Sequence, residues 1–449
     1  MRKNQAIKTY KRGGIHPEEY KLTDKSPVEI LPLPEQVTIL LSQHIGVPAI
    51  PVVSKGDTVK VGQLIAQGRG FVSASIHSSV SGKVVKIDSI PDLTGYKNPA
   101  IVIEVEGDEW EENIIQSTDL KKDITISKDE ILEKIRESGI VGLGGAAFPS
   151  HVKLTLPQGK NAKTLIMNGV ECEPYLTSDH RLMLEYGEEM MIGIKILMKV
   201  LNVRKAMIGI ENNKADAVCH LKDIASKFPG IEVYPLKVKY PQGSEKQLIK
   251  ALTGREVPSR KLPIDVGVVV HNVSTAYAIY EAVQKNKPLI NRIVTVSGKS
   301  LKKPSNFVVR IGTSIQFLIE AAGGLPENTG KVISGGLMMG KALNSLDVPV
   351  IKGMSGILVL PEDETKRKSI EPCIRCSKCL SVCPMGLEPY LLMPLTQDGN
   401  FYRLEKEMVL DCLECGSCSY ICPANRPLLD YIKFGKTEVT KLINERKLV

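Results

Sequence analysis

No stretch of the 449-residue sequence reaches the roughly 18 uninterrupted apolar residues that a membrane-spanning helix needs. The nearest approach, Met190 to Leu201, is short and carries Lys195 and Lys199. The segment Met1 to Arg12 is basic but has no apolar core, so a signal peptide is not expected. Together these absences predict a protein of the cytosol, or one that reaches a membrane only through partners. Aromatic residues are scarce at 5%, which argues against a base-stacking surface. Neither charge sign dominates: 59 Lys and Arg against 50 Asp and Glu leave +9, a mild excess at this length. A solvated surface is expected and nucleic-acid binding is not. Cysteine is almost missing from the first 372 residues, where only Cys172 and Cys219 occur. A secreted disulfide scaffold would spread its cysteines more widely.

The length suits about three domains, and 43% hydrophobic with 24% charged residues suits packed ones. Residues 1–110 open with a polar, turn-rich arm containing Gly13-Gly14 and His16-Pro17. Short apolar alternations follow (Val37 to Leu41, Val59 to Ala66, Val80 to Ile87, Ala100 to Val105), the pattern of a small all-β unit. Residues 125–287 alternate strands and helices. Ser127 and Glu130 form a capping box, Asp179 is read as the cap of a helix running to about Leu201, and the whole predicts a mainly parallel sheet covered by helices. Residues 290–361 turn β-rich again. After the charged run Glu362 to Lys368, residues 366–449 hold eight cysteines and a helical tail.

Those eight cysteines are the strongest chemical signal. Cys373, Cys376, Cys379 and Cys383 precede Pro384; Cys412, Cys415, Cys418 and Cys422 precede Pro423. Both runs are C-x2-C-x2-C-x3-C-P, the spacing of bacterial two-cluster ferredoxins. Three thiolates of a run wrap one [4Fe–4S] cube and the fourth serves the other. The expected sets are Cys373, Cys376, Cys379 with Cys422, and Cys412, Cys415, Cys418 with Cys383. A zinc site would take four ligands, usually in two C-x2-C pairs. Cys219, on a helical pattern with Val218 and Leu221, reads as a buried core thiol.

A glycine-rich turn supplies the second signal: Gly142-Leu143-Gly144-Gly145-Ala146-Ala147-Phe148-Pro149, with Lys153 beyond it. Glycines let backbone N–H groups approach a phosphate, and a lysine adds charge. The spacing is neither a Walker A loop nor G-x-G-x-x-G. Three further polar loops follow predicted strands or open helices: Asn168 to Pro174 with Glu171, Cys172 and Glu173; Gly243-Ser244-Glu245-Lys246; and His271-Asn272-Val273-Ser274-Thr275. Four such loops at sheet edges make a dinucleotide-sized site.

The stretch from Gly139 to Ser150, the Glu-Cys-Glu-Pro loop, the Gly-Ser-Glu turn and Asn272 to Thr275 resemble the flavin- and NADH-binding subunit of respiratory complex I. The order of modules over nearly the whole chain, with Gly13-Gly14-Ile15-His16-Pro17 at its start, resembles the RnfC family. Those are peripheral subunits of the Rnf ion-translocating ferredoxin:NAD+ oxidoreductase. The implied fold is multidomain α/β: a barrel-sandwich (hammerhead) unit, a Rossmann-like flavin/NADH domain, an SLBB-type β-grasp domain and a helix-rich dicluster ferredoxin-type domain. The implied cofactors are FMN, NAD(H) and two [4Fe–4S] clusters. By this resemblance Gly142, Gly144, Gly145 and Lys153 hold the FMN phosphate, Asn168, Glu171, Gly243, Asn272 and Thr275 contact the flavin, and Phe148, Glu173 and Glu245 face NADH.

The sequence departs from the complex I pattern at Leu143 (Arg there), Ala147 (Gly), Val170 (Asp) and His271 (Asn), which weakens the expected grip on FMN more than on nucleotide. The hammerhead lacks the lysine of a carrier domain: between Val61 and Gly82 there is no Lys, only Arg69. It is therefore read as structural or partner-docking. In the β-grasp segment Gly335-Gly336 reads as a turn and Met338-Met339 as core packing. No acid–base pair or hydrolytic triad is evident, and passage between NAD(H), a flavin and clusters needs none. The implied partners are the integral-membrane and iron–sulfur subunits of the complex and, indirectly, ferredoxin, on the cytoplasmic side of the membrane. A stand-alone flavin/iron–sulfur reductase, such as a cobalamin reductase, is the alternative, and a docking module with a decayed flavin site is a third. The roughly 140 residues before the glycine turn argue against the reductase.

Overall fold

A computed structural model describes residues 7–448. The first residues of the basic N-terminal arm lie outside the described residues. At the centre is a four-stranded sheet in the order Ile231–Leu236, Ala206–Glu211, Thr164–Asn168, Val268–Asn272, all pairs parallel. Its strands are almost entirely apolar because both faces are covered. On one face Leu248, Ile249 and Leu252 of the helix Glu245–Thr253 pack against Ile166, Met207 and Val270. On the other, the helices Gly187–Leu201 and Val273–Lys285 pack on Leu165, Ile208 and Val269. The chain winds outward from Thr164–Asn168 in both directions, so the order reverses between that strand and Val268–Asn272. In such sheets the crevice for ligands opens at the carboxyl ends of the two strands flanking the reversal. Here those ends are Asn168 and Asn272.

Before this domain come two small sheets facing one another across Val37, Ile39, Ile65, Ile76, Val84, Ile101 and Ile103, the sandwich expected of the hammerhead. After it comes a mixed six-stranded sheet with the helix Ile315–Ala321, capped by Ser314. Its edge strand is not local. Val28–Ile30, from the N-terminal arm, pairs in parallel with Ser305–Arg310. The cysteine region is built of short helices held by the long terminal helix Leu428–Leu448.

Three expectations are corrected. Cys219 is exposed on the helix Ala215–Ala225, because Ala217, Val218, Leu221 and Ile224 define the buried face and position 219 falls opposite it. The helix expected from Asp179 to Leu201 is two, Ser178–Glu185 and Gly187–Leu201, broken at Tyr186, and Asp179 is not the cap. Met339 is exposed at 51% rather than packed in a core, although Met338 is half-buried.

Candidate functional site

The glycine turn lies beside the crevice. Gly142 N–H closes the turn on the Phe148 carbonyl (2.8 Å), and Leu143 N–H donates to Thr275 Oγ1 (2.9 Å). Gly144, Gly145 and Ala146 form an exposed crest. Among the described residues their N–H groups donate to no protein acceptor. Gly145 has φ of +111°, and a Cβ there would project into open space. At Gly144 a Cβ would come within 3.3 Å of the Asn272 side chain. Uncommitted N–H groups on a left-handed crest suit an anionic phosphate.

The expected flavin contacts divide into floor and frame. Asn168 donates from Nδ2 to the Gly243 carbonyl (2.8 Å) and receives Val170 N–H on Oδ1 (3.2 Å). Asn272 caps the helix Val273–Lys285 by accepting Ser274 N–H, and its Nδ2 donates to Asp179 Oδ2 (2.6 Å) and to the Asn168 carbonyl (3.4 Å). Thr275 is fully buried and serves the glycine turn from beneath. Glu171 accepts from Asp179 N–H (2.8 Å), His180 N–H (3.2 Å) and Ser178 Oγ (3.3 Å), so its carboxylate caps the helix Ser178–Glu185. At the mouth, Lys153 Nζ and Glu245 Oε1 form an ion pair at 2.7 Å, both half-buried, with Phe148 half-buried nearby in sequence.

Glu173 is engaged elsewhere. Its Oε2 accepts Met338 N–H (2.8 Å), its Oε1 lies 3.4 Å from Tyr240 Oη, and a Cβ on Gly336 would collide with its carboxylate. Burial raises its pKa. The carboxylate thus lies between the β-grasp turn and Tyr240 rather than facing open nucleotide space.

The departures from the complex I pattern point inward. Leu143 and Ala147 pack in one core, Val170 in another, and His271 is buried with Nε2 unpartnered among the described residues and its pKa driven well below the ordinary value by burial.

Several residues of the site carry no signal of it in the sequence. Asp179 receives Asn272 and Ser274, and burial with the neighbouring Glu171 lifts its pKa to about 6. Arg292 is buried and donates to the Leu143 and Met354 carbonyls; burial lowers its pKa to about 10. Lys21 threads into the Glu171 loop, donating to the carbonyls of Glu171, Glu173 and Leu176 at 2.9, 2.9 and 2.7 Å. Lys352 does the same behind the glycine turn, on Ser75 (2.7 Å) and Gly139 (2.8 Å). The sequence offers a hint for Lys352 alone, a lysine in the otherwise uncharged stretch from Val348 to Leu360.

The cysteine combs repeat each other in backbone geometry. Arg375 and Ser377 in the first, Glu414 and Gly416 in the second, have positive φ at matching positions, and so do Gly386 and Asn425 after the final cysteines. These left-handed residues curl the chain and turn N–H groups toward sulfur: Cys412 Sγ accepts Glu414 N–H (3.4 Å) and Cys383 Sγ accepts Leu387 N–H (3.3 Å). After burial, the neighbours that suppress ionisation of Cys379 are Cys422 and Cys373. Those of Cys418, whose pKa rises to about 12, are Cys412, Cys415 and Cys383. The fourth cysteine of each comb therefore sits with the other comb. Cys383, Cys412, Cys415 and Cys418 line one pocket, together with Pro384, Leu387, Leu392 and Ile432. Among the described residues no three His, Cys, Asp or Glu side chains close on a point as one metal ion requires. Four thiols around a hollow fit a polynuclear cluster.

The two regions meet. Gly243 N–H lies on Cys172 Sγ (3.4 Å), and Cys172, Ile15, Tyr240, Val382 and Cys415 share one apolar pocket. Tyr240 Oη donates to the Cys415 carbonyl (2.8 Å), and Gln247 Nε2 to the Pro384 carbonyl (3.2 Å). The N-terminal arm closes this junction, with Gly14 N–H on the Val382 carbonyl (2.8 Å) and Ile15 paired with Tyr240.

Family models match the chain in this order: an RnfC barrel sandwich hybrid domain at 9–108, a Nuo51 FMN-binding domain at 135–281, an SLBB domain at 293–342 and a 4Fe-4S dicluster domain at 365–423. The chain is 50% identical to the C-type subunit of the proton-translocating ferredoxin:NAD(+) oxidoreductase complex of Clostridium ljungdahlii, over 95% of this chain and 93% of the relative. It is 44% identical to the corresponding subunit of the Na(+)-translocating complex of Acetobacterium woodii, over 95% and 96%. The chain belongs to the RnfC family. A third RnfC-type relative, from the ion-translocating oxidoreductase complex of Rhodobacter capsulatus, is 42% identical over 96% of this chain and 83% of its own length. Among solved structures, an NAD+-reducing [NiFe]-hydrogenase superposes with TM-score 0.50 at 18% identity, covering 68% of this chain and 63% of that one, a likeness of fold. Membership in the RnfC family brings FMN and a pair of [4Fe–4S] clusters to the two regions just described. It sets aside the stand-alone reductase.

Proposed function

We propose that this RnfC-family chain passes electrons between NAD(H) and its iron–sulfur clusters within an ion-translocating ferredoxin:NAD+ oxidoreductase complex. The observation that carries the reading is the contact series Asn272, Asn168, Gly243, Cys172, which runs from the crevice beside the glycine crest into the apolar cluster where Tyr240 meets the cluster ligand Cys415. When bound, a flavin accepts a hydride and releases electrons singly. The chain's own residues do the positioning. The crest N–H groups of Gly144 to Ala146 bind phosphate, Asn168 and Asn272 hold the crevice floor rigid, and Lys153 with Glu245 lies at its mouth. Cys172 and Tyr240 exclude water from the junction with the Cys415 comb. The set Cys383, Cys412, Cys415 and Cys418 is the inner one, nearest the crevice, and Cys373, Cys376, Cys379 and Cys422 form the outer one.

No helix among the described residues is long and apolar enough to cross a membrane. Ion movement then belongs to other subunits of the complex, on whose cytoplasmic side this chain docks. The relatives named for protons and for sodium align over the same 95% of this chain, which supports a role indifferent to the coupling ion. The test is anaerobic reconstitution with iron, sulfide and FMN. Cluster absorbance should bleach on NADH addition. Retained colour without an NADH response would mark a decayed nucleotide site.

A further inference from the structure

All four cysteines of the inner set are buried or half-buried, Cys415 among Ile15, Tyr240 and Cys172, whereas Cys373 and Cys376 of the outer set are exposed. They lie in a segment in which every residue from 366 to 378 is exposed, with no helix or strand from 366 to 377. The segment is nevertheless fixed. Glu371 N–H donates to the Ala424 carbonyl (3.0 Å) and Asn425 Nδ2 to the Ser369 carbonyl (3.0 Å). Two large apolar side chains stand uncovered beside the ligands, Ile370 at 62% and Ile374 at 68% exposure. Around them are Arg367, Lys368, Arg375 and Lys378 against one carboxylate, Glu371. Among the described residues none of these four cations has an ion-pair partner, while neighbouring Lys366 is paired with Glu362.

We infer that residues 367–378 form the docking surface for an acidic iron–sulfur protein or domain, which meets the chain over the outer cysteine set. This rests on the reading that the outer set holds a cluster. Electrons cross only short gaps, so whatever exchanges them with that cluster must cover Cys373 and Cys376. An apolar centre rimmed by unpaired cations is complementary to a partner with an apolar centre and a carboxylate rim, and such a rim steers encounter. Arg367 and Lys368 precede the first ligand by five or more residues, further than charge balance of the cluster requires. A lipid surface would use the cations but gives no reason for a redox centre to lie among them.

The test uses the full reconstituted chain and, as donor, a chemically reduced acidic two-cluster ferredoxin mixed in a stopped-flow instrument at several ionic strengths. With wild-type protein the second-order rate of cluster reduction should fall steeply with salt. In R367E/K368E the low-salt rate should drop about tenfold and the salt slope flatten, while iron content and NADH-driven bleaching stay as in wild type. Ile370→Ser should slow the reaction without changing the salt slope. Equal rates and slopes in R367E/K368E and wild type would overturn the inference. So would loss of binding to phosphatidylglycerol vesicles with an unaltered ferredoxin rate, which would make the surface a membrane contact. Failure of NADH to bleach wild-type clusters would strike the proposed function instead, since ferredoxin electrons enter without the nucleotide site.

Discussion

Tyr240 Oη donates a 2.8 Å hydrogen bond to the backbone carbonyl of Cys415, and the same oxygen lies 3.4 Å from Glu173. One phenol thereby ties the loop after a nucleotide-domain strand to the comb that holds the inner cysteine set. Burial and the adjacent carboxylate raise its pKa, so it stays a donor throughout the working range.

Tyr240→Phe should keep the fold and the iron but loosen this junction. A buried neutral hydrogen bond of this kind is worth about 0.5–1.5 kcal/mol net. The expected outcome is a small drop in thermal stability together with slower NADH-driven cluster reduction. Iron analysis and stopped-flow absorbance check the two parts separately.

Cys383→Ser and Cys373→Ser should each lower iron from about eight to about four per chain, with unequal consequences. Losing the inner set should abolish NADH-driven reduction of the remaining cluster. Losing the outer set should leave it. EPR of NADH-treated samples distinguishes them, and the reverse pattern would invert the assigned order.

Gly145→Ala forces a side chain into a backbone at φ +111° and into the open space above the crest. The strain should cost about 1–3 kcal/mol, and FMN affinity should fall while iron is retained. Flavin fluorescence on titration with FMN measures the loss.

Lys352 and Lys21 are each held less basic in the folded chain by burial, at about 7 and about 8 against 10.5. The unfolded chain therefore binds more protons between about pH 7 and 10.5, and these lysines make folding stability rise with pH across that window. Lys352→Met should flatten the rise. Denaturant midpoints from pH 7 to 9.5 would show it, and an unchanged slope would mean the lysine is solvated.

What is legible in the sequence is local. The combs can be read because ligand spacing is itself the motif, and the sheet because Leu165–Met167, Ala206–Ile210 and Val268–Val270 are unbroken apolar runs. Cys219 is misplaced by such a reading because a helical pattern with two apolar neighbours does not fix which arc is buried. Asp179 stands out as a cap, but the carboxylate that caps the helix is Glu171, seven or more residues upstream, and Asp179 accepts from Asn272 instead. Lys21, Arg292 and Tyr240 cannot be found by any window. Their partners lie at separations of 150, 149 and 175 residues, and only the packing of four units brings them together.

The N-terminal arm has one more consequence. Residues 8 to 30 pair with Leu236, Tyr240, Val382 and Ser305–Arg310 in turn. This arm thus has no finished seat until residues as far along the chain as Val382 have emerged. The newborn polypeptide must keep that edge strand and its glycines unengaged through most of synthesis, during which the half-built sheet beside Ser305–Arg310 offers an open edge to any neighbour. Pairing of Val28–Ile30 with Ser305–Arg310 is what closes it.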